Sequence, residues 1–201
     1  MDQRPGLSIV IPAYNEADNL KIMLPSLIEY CGAKNWNIIV VNDGSGDNTR
    51  EVLETFNNPD RFMVVHHKLN KGYGAAIKSG ILVSKADYVI TIDGDGQHRF
   101  EDIEKLFTRL KASDADMVVG SRKGTRSASI YRGIGKRIIR LIARILMTVP
   151  IHDINSGMKI YRIDLAKKYL SLTPDTMAYS DIITLVFINN RHLVLEEPIT
   201  V

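Results

Sequence analysis

The amino-acid sequence predicts an α/β fold: a mostly parallel central sheet with helices on both faces. Three observations predict it. Short apolar runs rich in β-branched residues recur, stretches with apolar residues at helical spacing separate them, and polar residues gather just beyond the runs. With 201 residues, 45% hydrophobic and 24% charged content, the chain suits one soluble globular domain with a substantial core.

The elements follow in order. Leu7 to Ile11 reads as a buried strand and Ala17 to Cys31 as a helix. Asn37 to Val41 is the second strand, Asp47 to Phe56 the second helix and Phe62 to His66 the third strand. The run Asn70-Lys71-Gly72-Tyr73-Gly74-Ala75-Ala76 opens another helix, where small residues let a neighbouring element or a ligand approach closely. Close helix packing is the favoured reading, and no Gly-Lys-Ser/Thr tripeptide follows, so this is not a phosphate-binding P-loop. Tyr88 to Ile92 and Asp116 to Gly120 are the fourth and fifth strands. Past Gly120 the pattern loosens into a basic helix, a strand over Met158 to Arg162, a helix around Ser180 to Asn190 and a last strand near Leu193 to Val201.

In such sheets ligands bind beyond the carboxyl ends of the strands. Those ends read Pro12-Ala13-Tyr14-Asn15-Glu16, Asn42-Asp43-Gly44-Ser45 and Asp93-Gly94-Asp95, so polar chemistry collects at one edge. In the second of them Asp47 or Ser45 reads as a helix N-cap. Asp43 stands at the strand end itself, placed to accept hydrogen bonds from a base or ribose.

Tyr88-Val89-Ile90-Thr91-Ile92-Asp93-Gly94-Asp95-Gly96-Gln97-His98 carries two carboxylates after a strand. If the extended geometry persists past Ile92, Asp93 and Asp95 face one place, and like charges so placed call for a cation or a proton between them. An EF-hand loop is excluded, because His98 stands where glycine is needed and a strand stands where a helix is needed. A phosphatase with Asp93 as nucleophile places Asp-x-Asp after a strand too, but normally near the chain start. The third reading is Mg2+ or Mn2+ held by Asp95 and the amide oxygen of Gln97, with coordination positions left for phosphate oxygens.

Charge is uneven. Between Asp116 and Asp153 there is no acidic residue, while Arg122, Lys123, Arg126, Arg132, Lys136, Arg137, Arg140 and Arg144 supply eight of the 26 basic ones. Around a helix, Ile130, Ile138, Leu141, Ile142, Ile145 and Leu146 fall on one arc and Arg132, Lys136, Arg137, Arg140 and Arg144 on the other. Such a helix either packs on a core with a solvated basic face or lies in a membrane surface among lipid phosphates. Without an aromatic platform or a binding motif the charge does not indicate nucleic acid. No apolar run approaches the roughly 18–20 residues of a membrane-spanning helix, and Met1 to Gly6 is not a signal peptide, so the chain as given reads as neither secreted nor membrane-spanning. Cys31, the single cysteine, falls within a helix and is expected to be unreactive in a reducing compartment.

Six segments in order, "SIVIPAYNEADNL", "VVNDGSGDNT", "NKGYGAAIKSGI", "VITIDGDGQHRFEDI", "MVVGSRKG" and "DINSGMKIYR", resemble family 2 glycosyltransferases over Leu7 to Val201. The chain is most similar to the branch of dolichyl-phosphate mannose synthase and polyprenyl-phosphate hexosyltransferases. The resemblance implies a glycosyltransferase A (Rossmann-like) fold and inverting transfer of a hexose from a nucleoside-diphosphate sugar, with UDP or GDP, to a polyprenyl phosphate such as dolichyl or undecaprenyl phosphate. It implies that Pro12, Ala13, Tyr14, Glu16 and Asp43 line the nucleoside pocket, that Asp93 lies near the ribose or the metal shell, and that Asp95 and Gln97 hold Mg2+ or Mn2+. Arg122 would face phosphate. Arg132, Lys136, Arg137 and Arg140 would meet the acceptor phosphate or the membrane surface, on the cytoplasmic face.

A phosphate acceptor is already ionised near neutral pH and needs no general base. Asp153 therefore positions a loop or the metal, or serves as base if the acceptor is instead a saccharide hydroxyl. A non-catalytic nucleotide-sugar-binding subunit is the reading of a different class, and a homo-oligomer is compatible with the sequence. The resemblance further leads us to expect one catalytic domain over residues 1–201, cut before a lid loop and a membrane anchor.

Overall fold

A computed structural model describes residues 4–56, 61–122 and 151–200. Its centre is a seven-stranded sheet in the order β3-β2-β1-β4-β6-β5-β7. The strands are β1 (Leu7–Ala13), β2 (Trp36–Asn42), β3 (Phe62–His66), β4 (Tyr88–Thr91), β5 (Met117–Ser121), β6 (Lys159–Arg162) and β7 (Val194–Pro198). β1 pairs in parallel with β2 and β4, β2 with β3, and β5 with β7. Only β6, among the described strands, runs antiparallel to its neighbours β4 and β5.

Helices α1 (Ala17–Gly32), α2 (Thr49–Glu54) and α4 (Phe100–Ser113) cover one face. Helices α3 (Tyr73–Val83), α5 (Ile163–Tyr169) and α6 (Tyr179–Asn189) cover the other. All seven residues of β1 are buried, which is why it reads as a continuous apolar run rather than an alternating one. Its one polar residue, Ser8, is satisfied by donating to Asn37 Oδ1 at 2.7 Å and lying 2.6 Å from the Ser84 hydroxyl. On α4 the buried Ile103, Leu106 and Leu110 form the inward stripe, while Glu101, Lys105 and Arg109 face solvent.

The close-packing reading of the Gly72–Ala76 run holds. A Cβ on Gly74 would stand 2.4 Å from the carbonyl oxygen of Pro174, so only glycine lets the start of α3 sit against the 173–176 segment. Cys31 is buried in α1, and burial pushes its thiol up to about 12, in keeping with an inert cysteine. Among the described residues no helix is long and apolar enough to cross a membrane. The basic helix expected over 130–146, with Arg132, Lys136, Arg137 and Arg140, lies outside the described residues.

Candidate active site at the carboxyl edge of the sheet

Parallel pairing brings the ends of β1, β2, β3 and β4 to one edge, and the antiparallel β6 begins there. The loops after β1 and β2 are fastened together. Gly46 N–H donates to Asn15 Oδ1 at 2.8 Å, Asn15 N–H to Ser45 Oγ at 3.0 Å and Glu16 N–H to Thr49 Oγ1 at 3.0 Å. The N-cap position of α2 is Asn48, not Asp47 or Ser45 as expected; Asp47, one residue earlier, still satisfies two helix starts, accepting from Thr49 N–H through one oxygen and from Ala17 N–H through the other. Pro12 and Ala13 are buried at the end of β1, Tyr14 is 50% exposed and Glu16 half-buried.

Asp43 is only 3% exposed, and its carboxylate is engaged by the loop after β3. Oδ1 accepts from Lys71 N–H at 2.9 Å and Oδ2 from Gly72 N–H at 2.8 Å. Oδ1 also lies 2.6 Å from His67 Nδ1, which must carry the proton because a carboxylate can only accept. His67 Nε2 in turn sits 2.8 Å from the Ser79 hydroxyl on α3. Asp43 thus shapes one wall of the site by fixing the Lys71–Gly72 turn. His67 is missing from the sequence-derived candidates, although its place at the end of β3 is the signal that singled out Asp43.

Asp93 and Asp95 do not share one face of a strand. β4 ends at Thr91, and the chain turns at Gly94–Asp95 and again at Gly96, whose φ of 73° lies in the region that favours glycine. The two-residue alternation needs extended backbone, and the turn at Gly94–Asp95 removes it. Asp93 turns inward: Oδ1 accepts from the Tyr73 hydroxyl at 2.9 Å and Oδ2 lies 3.6 Å from His98 Nε2. Burial alone would raise the Asp93 pKa; His98, the Tyr73 hydroxyl and the charge of Arg122 more than reverse that, and it is held below the ordinary carboxylate value. Asp95 and Gln97 are exposed on the turn, with Gln97 N–H donating to Asp95 Oδ1 at 3.1 Å.

The Asp153–Gly157 loop completes the site. Arg122, just past β5, grips Asp153 through two points, Nε to Oδ2 at 2.9 Å and Nη2 to Oδ1 at 3.0 Å, with its backbone N–H reaching Oδ2 at 3.2 Å. Burial would raise the Asp153 pKa, but the Arg122 hydrogen bonds and charge lower it, so the group is a weak base. Glu196 of β7 accepts from His152 and Asp153 N–H, and Thr91 Oγ1 of β4 donates to Gly157 O at 2.6 Å. Gly157 then lies directly on Asp93: a Cβ there would meet the carboxylate at 2.4 Å. Tyr73, His98 and Gly157 are absent from the sequence-derived set, because the contacts that give them their place are long-range.

The residues fit a hard cation in donor type. Asp95 and Gln97 offer oxygen atoms at an exposed turn, and among the described residues no three His, Cys, Asp or Glu side chains gather as a closed metal cage. A Mg2+ or Mn2+ held by so few protein groups takes its other ligands from water or phosphate oxygens.

Residues 8–170 match the family model "Glycosyl transferase family 2". The chain is 32% identical to polyprenol monophosphomannose synthase of Mycolicibacterium smegmatis, over 96% of this chain and 76% of that one. It is 32% identical to an undecaprenyl-phosphate 4-deoxy-4-formamido-L-arabinose transferase of Pectobacterium atrosepticum over 81% of this chain, and 34% identical to dolichyl-phosphate beta-glucosyltransferase of Saccharomyces cerevisiae over 60%. It spans 50% and 42% of the lengths of those two. Among solved structures, glucosyl-3-phosphoglycerate synthase of Mycobacterium tuberculosis, in complex with Mn2+, UDP and glucosyl-3-phosphoglycerate, superposes with a TM-score of 0.73 at 17% identity, covering 97% of this chain and 70% of that one. S. aureus TarS 1–349 in complex with UDP-GlcNAc gives 0.69 at 20% identity, covering 96% and 58%. These likenesses bear out the expected glycosyltransferase A fold.

Proposed function

The chain belongs to glycosyl transferase family 2, and from that premise we propose that it is the catalytic domain of an inverting hexosyltransferase acting from a nucleoside-diphosphate sugar, with UDP or GDP, onto a polyprenyl phosphate at the cytoplasmic membrane face. The observation that carries the reading is the two-point Arg122–Asp153 pair beside Asp93, at the carboxyl edge of the sheet. Arg122 offers a cation whose direction Asp153 fixes, placed where negative charge grows on a departing diphosphate. Pro12, Ala13, Tyr14 and Glu16, together with the Lys71–Gly72 turn held by Asp43, are assigned to the nucleoside, and Asp93 to the donor ribose or the metal shell. Asp95 and Gln97 are assigned to Mg2+ or Mn2+, which when bound would neutralise charge on the diphosphate.

The acceptor follows from what Asp153 is engaged in. Both its oxygens bind Arg122 and its pKa is lowered, which suits an orienting group and not a proton acceptor. A phosphate acceptor arrives ionised and needs no base. The names of the relatives point the same way.

The test is transfer from a panel of UDP- and GDP-hexoses, with Mn2+, Mg2+ or EDTA, to dolichyl or undecaprenyl phosphate in detergent, beside saccharide acceptors. A lipid-linked sugar phosphate formed only with a divalent cation is the expected product. Transfer only to saccharide hydroxyls would overturn the acceptor assignment, and undiminished activity in EDTA the metal assignment.

A further inference from the structure

Lys159 opens β6 at the site edge and is 1% exposed. An ammonium group so deep costs several kcal/mol of lost hydration unless donors and charges are matched. Here two carbonyls and nearby carboxylates offset part of that cost. Nζ donates to the carbonyl oxygen of Ile154 at 2.5 Å and to that of Ser180 on α6. Asp181, Asp153 and Asp93 surround it as counter-charges, with Arg122 opposing. Burial brings its pKa down to about 7, the carboxylates acting against that shift.

The two carbonyls decide what this can do. Ile154 follows Asp153, the residue that grips Arg122, and the same loop ends at Gly157, which lies on the Asp93 carboxylate. Ser180 belongs to α6, whose Tyr179, Ile183 and Phe187 share one buried cluster with Ile154 of that loop, so the lysine adds a polar tie to an apolar contact. We propose that Lys159 is a positioning residue: by tying the Asp153–Gly157 loop to α6 from beneath, it sets the direction of Arg122 and the seat of Asp93 together. The inference rests on the proposed function for its catalytic meaning. The lysine acts through the loop.

Lys159→Met keeps the apolar stem of the side chain as far as Cε and removes the ammonium group with its donors. The first readout is the NMR signal of the Arg122 Nε–H, identified by its loss in Arg122→Lys. In the wild type the Asp153 bond gives a resolved signal; in Lys159→Met it is broadened away by solvent exchange, while the amide of Ile39 in β2, buried between β1 and β3, is unchanged. The second readout is the dissociation constant for UDP and for GDP with Mn2+, expected to weaken about tenfold, as misplacement of an orienting group does. Retention of the Arg122 signal, or equal loss of protection at Arg122 and Ile39, overturns the proposal, the latter because it marks general destabilisation. If the methionine variant does not fold, Lys159→Gln, which keeps a donor without the charge, is read by the same two signals. A wild type that binds neither nucleotide overturns the proposed function, while the Arg122 signal still decides the role of Lys159.

Discussion

Gly157→Ala perturbs the site with a single methyl group. The added Cβ would lie 2.4 Å from Asp93 Oδ2, 2.7 Å from Oδ1 and 2.8 Å from Cγ. Ordinary contact is roughly 3.5 Å, so the carboxylate must retreat by about 1 Å. Its retreat is opposed by the Tyr73 hydroxyl at 2.9 Å and by His98 at 3.6 Å. The loop cannot yield easily either, since Arg122, Thr91, Glu196 and Lys159 each hold it. Overpacking costs about 1–3 kcal/mol and a lost hydrogen bond to a charged group a similar amount, which together put the penalty at roughly 2–6 kcal/mol. For a domain of this size that lowers Tm by about 4–24 °C. The assay is a double-mutant cycle in thermal or urea unfolding with Asp93→Ala. Where alanine has already removed the carboxylate, Gly157→Ala should cost less than about 0.5 kcal/mol, a coupling well outside additivity. Equal penalties in the two backgrounds would refute the reasoning, because the methyl group would then be acting on something other than Asp93.

Asp95→Asn should weaken Mn2+-dependent binding of nucleoside diphosphate by tenfold or more, with stability changed by less than about 0.5 kcal/mol, since the residue is exposed on a turn; isothermal titration alongside thermal melts checks both. Gly74→Ala should destabilise by at least about 2 kcal/mol in urea unfolding, because its Cβ meets backbone at 2.4 Å, which cannot rotate away as a side chain can. Asp93, Asp153 and Glu196 all have folded pKa values below their ordinary ones, so their stabilisation is present above the unfolded carboxylate values near 4 and is lost as pH falls through the folded values. Melts between pH 7 and pH 3 should therefore show Tm falling less steeply in Asp153→Asn than in the wild type. A steeper fall in the variant would reverse the sign.

The sequence makes the strands legible because β1 and β2 are covered on both faces, and continuous apolar runs bounded by polar turns are what such burial requires. It also locates β6, but not its direction, which depends on where the chain re-enters the sheet and leaves no local trace. Lys159 illustrates the same limit. Within Met158-Lys159-Ile160-Tyr161-Arg162 it looks like a solvent-facing residue of an alternating strand, and its burial rests on the carbonyls of Ile154 and Ser180 and on nearby carboxylates, none of which the strand itself supplies. At Asp93 and Asp95 the expected shared face fails for a reason present in the letters, since Gly94 between them opens a turn where the expectation needs extended backbone. His67 was accessible by the strand-end argument that picked out Asp43. Tyr73 and His98 were not, because their partnership with Asp93 joins an α3 side chain, a turn and a strand end.

The reversed direction of β6 has a consequence for how substitutions at the site can combine. β5 ends and β6 begins at the same edge, so Arg122 beyond the one and the Asp153–Gly157 loop leading into the other meet in a salt bridge. A change at either partner is therefore felt at the ends of both strands and, through Gly157, at the Asp93 carboxylate. Substitutions among Arg122, Asp153 and Asp93 should depart from additivity, so this edge of the sheet changes as a unit rather than one residue at a time.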